Sequence, residues 1–272
     1  MNSKINSVNS ATQSAGISPT VASGYRPQAG GITYQEKFNF TEIELPKRTK
    51  VNIEPSERLN FKTMVKLFTE ILQSGVDIIP QAPRDHGKYI VEASFKPTLS
   101  KTRHHTILAP LRGVKKPLTA PPQLAIYNSM NHTVEEYVAQ IIDNSTDDDI
   151  IRLIIVMGHE FGHYLSFVRG YHDNELKFGI HLMHSKQVSG KNGKYTWLVF
   201  REEVTAWKFA SDVLKRYKFE FLDAFEKVKI NSLQTYYTSL NLEQASLDVY
   251  FKLSMLGDDF INSCKPSIST PA

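Results

Sequence analysis

The chain has few cysteines, no long apolar run and no dense tract of charge. Its single cysteine, Cys264, can form no internal disulfide, so nothing in its cysteine content indicates an oxidising compartment. The longest aliphatic run, residues 150–157, is interrupted by Arg152, and the first twenty residues contain no continuous apolar segment. We therefore expect neither a secretory signal nor a membrane span, and we predict a cytoplasmic protein. The net charge of +4 comes from scattered lysines and arginines, so nucleic-acid binding is not required.

The composition is that of a folded domain with polar ends. Apolar residues make up 41% of the 272 residues and aromatic residues 11%, which is ample for a packed core. Residues 1–50 are predicted to be a disordered or loosely attached tail, because small polar residues dominate the first thirty. A single domain is predicted over residues 51–264, with a sheet part at about 55–130 and a helical part at about 131–260. Residues 265–272 are predicted to be a flexible tail.

The pattern of apolar residues and turn signals predicts an α+β fold, in which a small mixed sheet precedes a mostly helical half. An apolar stripe at residues 64–72 predicts a helix that ends at Gly75. Capping boxes predict helices starting at Thr133 and Asn241, the second reaching about residue 256. Short β-like runs predict strands at residues 76–79, 89–95, 106–111, 123–127 and, after a turn at residues 192–193, 195–200; a possible further strand lies at 40–45.

Residues 159–163 read His-Glu-Phe-Gly-His, which is the most informative feature of the chain. A helix turns about 100° per residue, so His159 and His163 lie on one face, where two imidazoles can bind one metal ion. Glu160 points about 100° away from His159, close enough to reach a water molecule held there. This H-E-x-x-H pattern is the signature of zinc metallopeptidases, with two ligands and a general base on one helix.

The residues around this pattern predict that it lies on an inward-facing helix. Ser145 and the following Thr and Asp residues supply a cap and acids for the helix start, and Gly170 supplies a stop. The apolar residues between these signals share one arc of the helix, and the two histidines lie at its edge. Two glycines within the helix, Gly158 and Gly162, each cost about 1 kcal/mol relative to alanine. They indicate that another group approaches the backbone closely.

A catalytic zinc ion needs a third protein ligand, and several candidates compete. A third histidine at the metzincin spacing is excluded, because the chain has Ser166 and Arg169 at the required positions. Histidines in a weakly periodic stretch further along the chain remain alternatives: His172, His181 and His184. The favoured candidate is Glu203, at the centre of the buried stripe of a helix predicted over residues 201–216, because a buried carboxylate needs a compensating cation. In the alternative interpretation, Glu202 and Glu203 only complement the dipole of a helix start.

The two motifs together resemble the gluzincin zinc metallopeptidases, and specifically the ImmA/IrrE-like family. The resemblance rests on the H-E-x-x-H pattern and on Glu203, Ala206, Phe209 and Ala210, which match an E-x-x-A-x-x-F-A helix. It implies a zincin-like fold, one zinc ion bound by His159, His163 and Glu203, and Glu160 as the general base. The chain departs from the family at Trp207, where Asp or Asn is usual and can orient a ligand histidine. The sequence therefore leaves open which residue orients the ligand histidine.

These observations predict a zinc-dependent metalloendopeptidase that acts on a specific intracellular protein or peptide. His181, His184 and Tyr164 are further candidates for stabilising the oxyanion or orienting a ligand. By the same resemblance, residues 123–127 are the candidate edge strand that would pair with extended substrate. Two alternatives remain: a zinc-stabilised regulatory or protein-binding module without turnover, and a basic protein associated with nucleic acid.

Overall fold

The strongest helix signals of the sequence surround the H-E-x-x-H pattern, and a long helix forms there. A computed structural model of the chain describes residues 36–39, 58, 60–81, 90–98, 103–120, 127–172, 174–184, 193–240 and 242. Its elements, in chain order, are β1 (Glu36–Asn39), α1 (Phe61–Gln73), β2 (Val76–Pro80), β3 (Ile90–Lys96), β4 (His105–Ala109), α2 (Tyr127–Asp143), α3 (Asp147–Val168), α4 (Asn174–His184), α5 (Gly193–Arg216) and α6 (Leu222–Ser239). The described part of the chain is therefore α+β and mostly helical, as predicted.

The strands form one small mixed sheet in the order β1-β3-β4-β2. Strand β3 is antiparallel to β1 and β4, whereas β2 is parallel to β4. The predictions of strands near 76–79, 89–95 and 106–111 are confirmed with small shifts in their ends. Strand β1 lies within the segment predicted to be a loosely attached tail, so four of those residues belong to the sheet. The possible strand at residues 40–45 lies outside the described residues.

Helix α3 begins and ends where the local signals predict. Thr146 is the N-cap: its side-chain oxygen accepts a hydrogen bond from the backbone N–H of Asp149, 3.2 Å away, and the Asp149 carboxylate accepts one from the Thr146 N–H. This reciprocal capping box satisfies two backbone donors that the first turn leaves unpaired. At the other end, Gly170 has a φ of +80°, which glycine adopts without steric cost.

Helix α3 is the central element of the fold. All residues from 150 to 164 are buried, and the helix contacts α1, α5 and the sheet strands β3 and β4. A helix that is apolar on nearly all sides can be stable only when it is covered on nearly all sides. The surroundings of this helix therefore place the polar residues His159, Glu160 and His163 inside the core.

The helical half departs from the sequence predictions in several places. Residues 195–200 were predicted to form a strand, but they lie in α5, which begins at residue 193 instead of 201. The weakly periodic stretch that carries His181 and His184 forms a helix, α4. Helix α2 begins at Tyr127, so Thr133 lies inside it and is not its cap, and Tyr127 is not in a strand. Residues 123–126 of that strand, and the helix predicted at 241–256 beyond Leu242, lie outside the described residues.

Packing between α4 and α5 explains why the residues at 195–200 are helical. Short apolar runs rich in aromatic and β-branched residues fit either a strand or a buried helix. Gly179 of α4 lets α5 approach, since a Cβ atom at Gly179 would lie 3.2 Å from a Val199 methyl group and 3.3 Å from the Tyr195 Cβ atom. Thr196, Val199 and Phe200 are buried along the first turns of α5. Tertiary contact therefore decides in favour of helix.

All described residues belong to a unit that spans residues 31–272, one of the two units into which the chain divides. Residues 1–30 lie outside the described residues. Among the helices that the structure describes, none combines the length and the apolar character needed to cross a bilayer. The other predicted domain limits stay predictions.

Candidate metal centre

Helices α3 and α5 touch through their backbones beside the two histidines. A Cβ atom built at Gly162 would lie 2.1 Å from the carbonyl oxygen of Ala206, so only glycine fits there. One turn earlier, Gly158 faces the Leu214 side chain at an ordinary contact distance of 3.4 Å. The predicted close approach to the helix backbone is thus confirmed at Gly162. This close approach brings Glu203 of α5 within reach of the two histidines of α3.

Three donor atoms from the two helices converge in the core. The Nε2 atoms of His159 and His163 lie 3.5 Å and 3.6 Å from one Glu203 carboxylate oxygen, Oε2. The two histidine rings are 4.6 Å apart between centroids and steeply inclined to each other. All three side chains are at most 1% exposed. The three residues predicted to be ligands are therefore brought together, as a buried group that could hold a metal ion.

The spacing of these donor atoms is compatible with their binding one metal ion together. Nitrogen and oxygen ligands at about 2.0 to 2.2 Å from a tetrahedral zinc ion lie roughly 3.3 to 3.6 Å from each other. Hydrogen-bonded nitrogen and oxygen atoms are closer, at about 2.7 to 3.2 Å. The separations of 3.5 Å and 3.6 Å fall in the first range. Two imidazoles and a carboxylate are also a donor set that suits zinc.

Burial sets the protonation state of the first histidine. Desolvation lowers the pKa of His159 to about 4, although the neighbouring Glu203 carboxylate partly opposes the shift. His159 is consequently neutral near pH 7, which is the form that binds a metal ion.

Glu202 lies beside the three donor atoms and forms a separate hydrogen-bonded group. Its carboxylate is 3.1 Å from His163 Nδ1, 2.8 Å from His172 Nε2 and 2.6 Å from the Ser166 hydroxyl, which donates to it. Burial alone would raise the pKa of Glu202, but hydrogen bonds from His163 and His172 outweigh it and lower the pKa to about 2. The lowered pKa favours the anion, and three polar side chains lie within hydrogen-bond distance of it. Sequence reasoning assigned Glu202 no role beyond complementing the dipole of a helix start, yet it is only 2% exposed.

Trp207, the residue that departs from the family pattern, lies against the first histidine. Its ring is stacked on His159, with 4.0 Å between centroids and an interplanar angle of 30°. The indole is fully buried and also contacts Phe225 of α6 edge-on, 5.4 Å away. The stack restricts rotation of the His159 ring by packing.

The other candidate residues have different surroundings. His172 contacts Glu202, with its Nε2 atom 2.8 Å from the carboxylate. His181 and His184 lie in the last turns of α4, and their side chains are outside the described residues. The Tyr164 hydroxyl donates a hydrogen bond to the backbone carbonyl of Ser74, 2.6 Å away, at the end of α1. That contact gives Tyr164 a role in joining α3 to α1.

Sequence reasoning missed the hydrogen-bonded group around Glu202. One local signal was available: Ser166 lies three residues after His163, so both occupy one face of α3. His172 gave no such signal, because it follows the helix and reaches Glu202 only through the turn at Gly170.

Comparison of the chain with protein-family models, with curated proteins and with solved structures found no match. The resemblance to the ImmA/IrrE-like family therefore rests on the two motifs alone.

Proposed function

We propose that the protein is a zinc-dependent metallopeptidase with a zincin-like fold, related to the ImmA/IrrE-like family. One observation carries the proposal. The Nε2 atoms of His159 and His163 and the Oε2 atom of Glu203 converge at separations of 3.5 Å and 3.6 Å, as ligands of one zinc ion do. Glu160 follows the first of these histidines on the same helix, where the peptidase pattern places its base.

His159, His163 and Glu203 would hold the ion, leaving a fourth position for the reaction. A bound zinc ion supplies Lewis-acid polarisation of the scissile carbonyl and lowers the pKa of water toward neutrality. The chain itself supplies the proton transfers: the Glu160 carboxylate takes a proton from the attacking water and then delivers it to the leaving amine nitrogen. No covalent intermediate with the protein is required. The proposed substrate is a protein or peptide, and a cytoplasmic location stays a prediction.

The test of the base is the substitution Glu160→Gln, which keeps the side chain's size but removes its basicity. We expect the zinc-loaded variant to retain the metal and to lose at least about a hundredfold in peptide hydrolysis. The substrate for this assay is found by comparing protein N-termini in cells that express wild type or the variant. An N-terminus that appears only with wild type marks a cleavage site. Hydrolysis by the variant at the wild-type rate would falsify the assignment of Glu160.

The test of the metal is elemental analysis of wild type and Glu203→Ala after dialysis against zinc. We expect one zinc ion per wild-type chain and a large loss of affinity in the variant, because two ligands remain. Removing zinc with a chelator should also lower the unfolding temperature of the wild type, and adding zinc should restore it. Unchanged stoichiometry and affinity in Glu203→Ala would transfer the third-ligand role to another residue.

A second candidate function is supported by the burial of the site. His159, Glu160 and His163 are all 0% exposed, and a peptide carbonyl must reach them before hydrolysis can occur. A zinc-stabilised regulatory or protein-binding module has no such requirement. The same two experiments separate the candidates. A module without turnover would bind zinc and depend on it for stability, like the peptidase. Cells that express wild type or Glu160→Gln would, however, contain identical sets of protein N-termini.

A further inference from the structure

The Glu202 carboxylate makes contacts of a different length from those of Glu203. It lies 2.6 Å, 2.8 Å and 3.1 Å from donors on Ser166, His172 and His163. All three distances are hydrogen-bond lengths and are shorter than the roughly 3.3 to 3.6 Å between ligands that share a tetrahedral zinc ion. Although His163, His172 and Glu202 could also be grouped as metal ligands, their spacing favours hydrogen bonds.

The positions of these contacts favour one tautomer of each histidine. A carboxylate oxygen 3.1 Å from Nδ1 of His163 and 2.8 Å from Nε2 of His172 accepts a hydrogen bond from each ring when those nitrogens carry the hydrogen. With its hydrogen on Nδ1, His163 presents the lone pair of Nε2 toward Glu203. A carboxylate at the far nitrogen of a ligand histidine fixes the tautomer and ring orientation and makes the ligand more basic.

We propose that Glu202 is the positioning residue of the metal centre, which holds His163 in the Nδ1–H tautomer, and that Ser166 and His172 hold Glu202 in place. The inference rests on the proposed zinc site and adds to it the residue that orients one of its ligands. His159 has a different restraint, the stacked ring of Trp207, whose N–H can donate but cannot accept. The carboxylate that orients a histidine thus comes from the residue just before the ligand Glu203.

His172 extends this group beyond the two helices. It follows the Gly170 turn at the end of α3, and its side chain is 2% exposed. Its bond to Glu202 therefore joins the chain segment between α3 and α4 to the carboxylate that orients His163. Three separate parts of the chain, α3, α5 and this segment, meet at one carboxylate.

The first experiment measures zinc affinity by competition with a chromophoric chelator, in wild type, Glu202→Gln and the control Glu220→Gln. Glu220 is an exposed carboxylate outside the centre, so its variant matches the change in charge. We expect Glu202→Gln to bind zinc ten- to a hundredfold more weakly and Glu220→Gln to match wild type. An affinity within twofold of wild type in folded Glu202→Gln overturns the inference and leaves the zinc site standing.

The second experiment reads the tautomer of His163 directly by NMR of ¹⁵N-histidine-labelled protein. Wild type should carry the His163 hydrogen on Nδ1, with a strongly downfield proton resonance that moves upfield in Glu202→Gln. A purely structural role of Glu202 would not produce that shift. If Glu202→Gln does not fold, the wild-type spectrum still decides, because a hydrogen on Nε2 contradicts the inference. A wild type that carries the hydrogen on Nδ1 but binds no zinc overturns the proposed function, and with it the metal-orienting part of this inference.

Discussion

Replacing Gly162 by alanine tests whether the contact between α3 and α5 sets the geometry of the site. The new Cβ atom would lie 2.1 Å from the Ala206 carbonyl oxygen, which is more than 1 Å closer than an ordinary contact. The clash is with backbone, so α5 as a whole must move, and Glu203 lies on α5 one turn before Ala206. Ligand distances in a zinc site tolerate only about 0.2 Å. The substitution should therefore disturb the site as well as the packing.

The expected magnitude combines two opposing effects. Overpacking in a core costs about 1 to 3 kcal/mol, whereas replacing glycine by alanine inside a helix gains up to about 1 kcal/mol. We expect Gly162→Ala to lower the free energy of unfolding by about 1 to 2 kcal/mol and to weaken zinc binding by about tenfold or more. Urea unfolding of the metal-free protein measures the first effect, and chelator competition measures the second.

Gly158→Ala is the matched control, because it lies one turn earlier in the same helix. The nearest atoms to its Cβ atom would be those of the Leu214 side chain, from 3.4 Å. The helix gain then stands alone, so we expect this variant to be as stable as wild type or up to about 1 kcal/mol more stable. If Gly162→Ala were as stable as Gly158→Ala and bound zinc like wild type, the close approach of the two backbones would be refuted.

Two further predictions concern the helix start and the buried histidine. Thr146→Ala removes the acceptor of the Asp149 N–H and should lower the free energy of unfolding in urea by about 1 kcal/mol. Thr146→Ser keeps a hydroxyl acceptor and should retain most of the wild-type stability. Equal stabilities of the two variants would contradict the capping role. In the metal-free protein, burial holds the pKa of His159 at about 4, below its ordinary value of 6.5, so the unfolded chain binds more protons between these pH values. The free energy of unfolding should therefore fall by at most about 3 kcal/mol as the pH falls from 6.5 to 4, and His159→Gln should lose that part of the pH dependence.

Much of the first site helix could be predicted from the sequence because its signals are local. The capping box at Thr146 and the stop at Gly170 act on their own turns of backbone, and the spacing of His159 and His163 places both on one face whatever surrounds the helix. The same holds for strands β2, β3 and β4, whose apolar runs are bounded by turns. The central position of Glu203 also followed from periodicity, because the apolar stripe of α5 must face a neighbour.

Other features depended on which surfaces meet, and only the tertiary structure decided them. The residues at 195–200 are helical because α4 covers them at Gly179, a contact that their own pattern does not specify. Glu202 lies beside the apolar stripe of α5, not at its centre. It is buried because α3 and the segment that carries His172 cover that side of α5. The sequence by itself determined that two histidines share one face of a helix that also carries Glu160, and that a buried carboxylate lies on a second helix. The close approach at Gly162 determined that these groups converge, because distances between elements are set by packing and not by the spacing of residues along the chain.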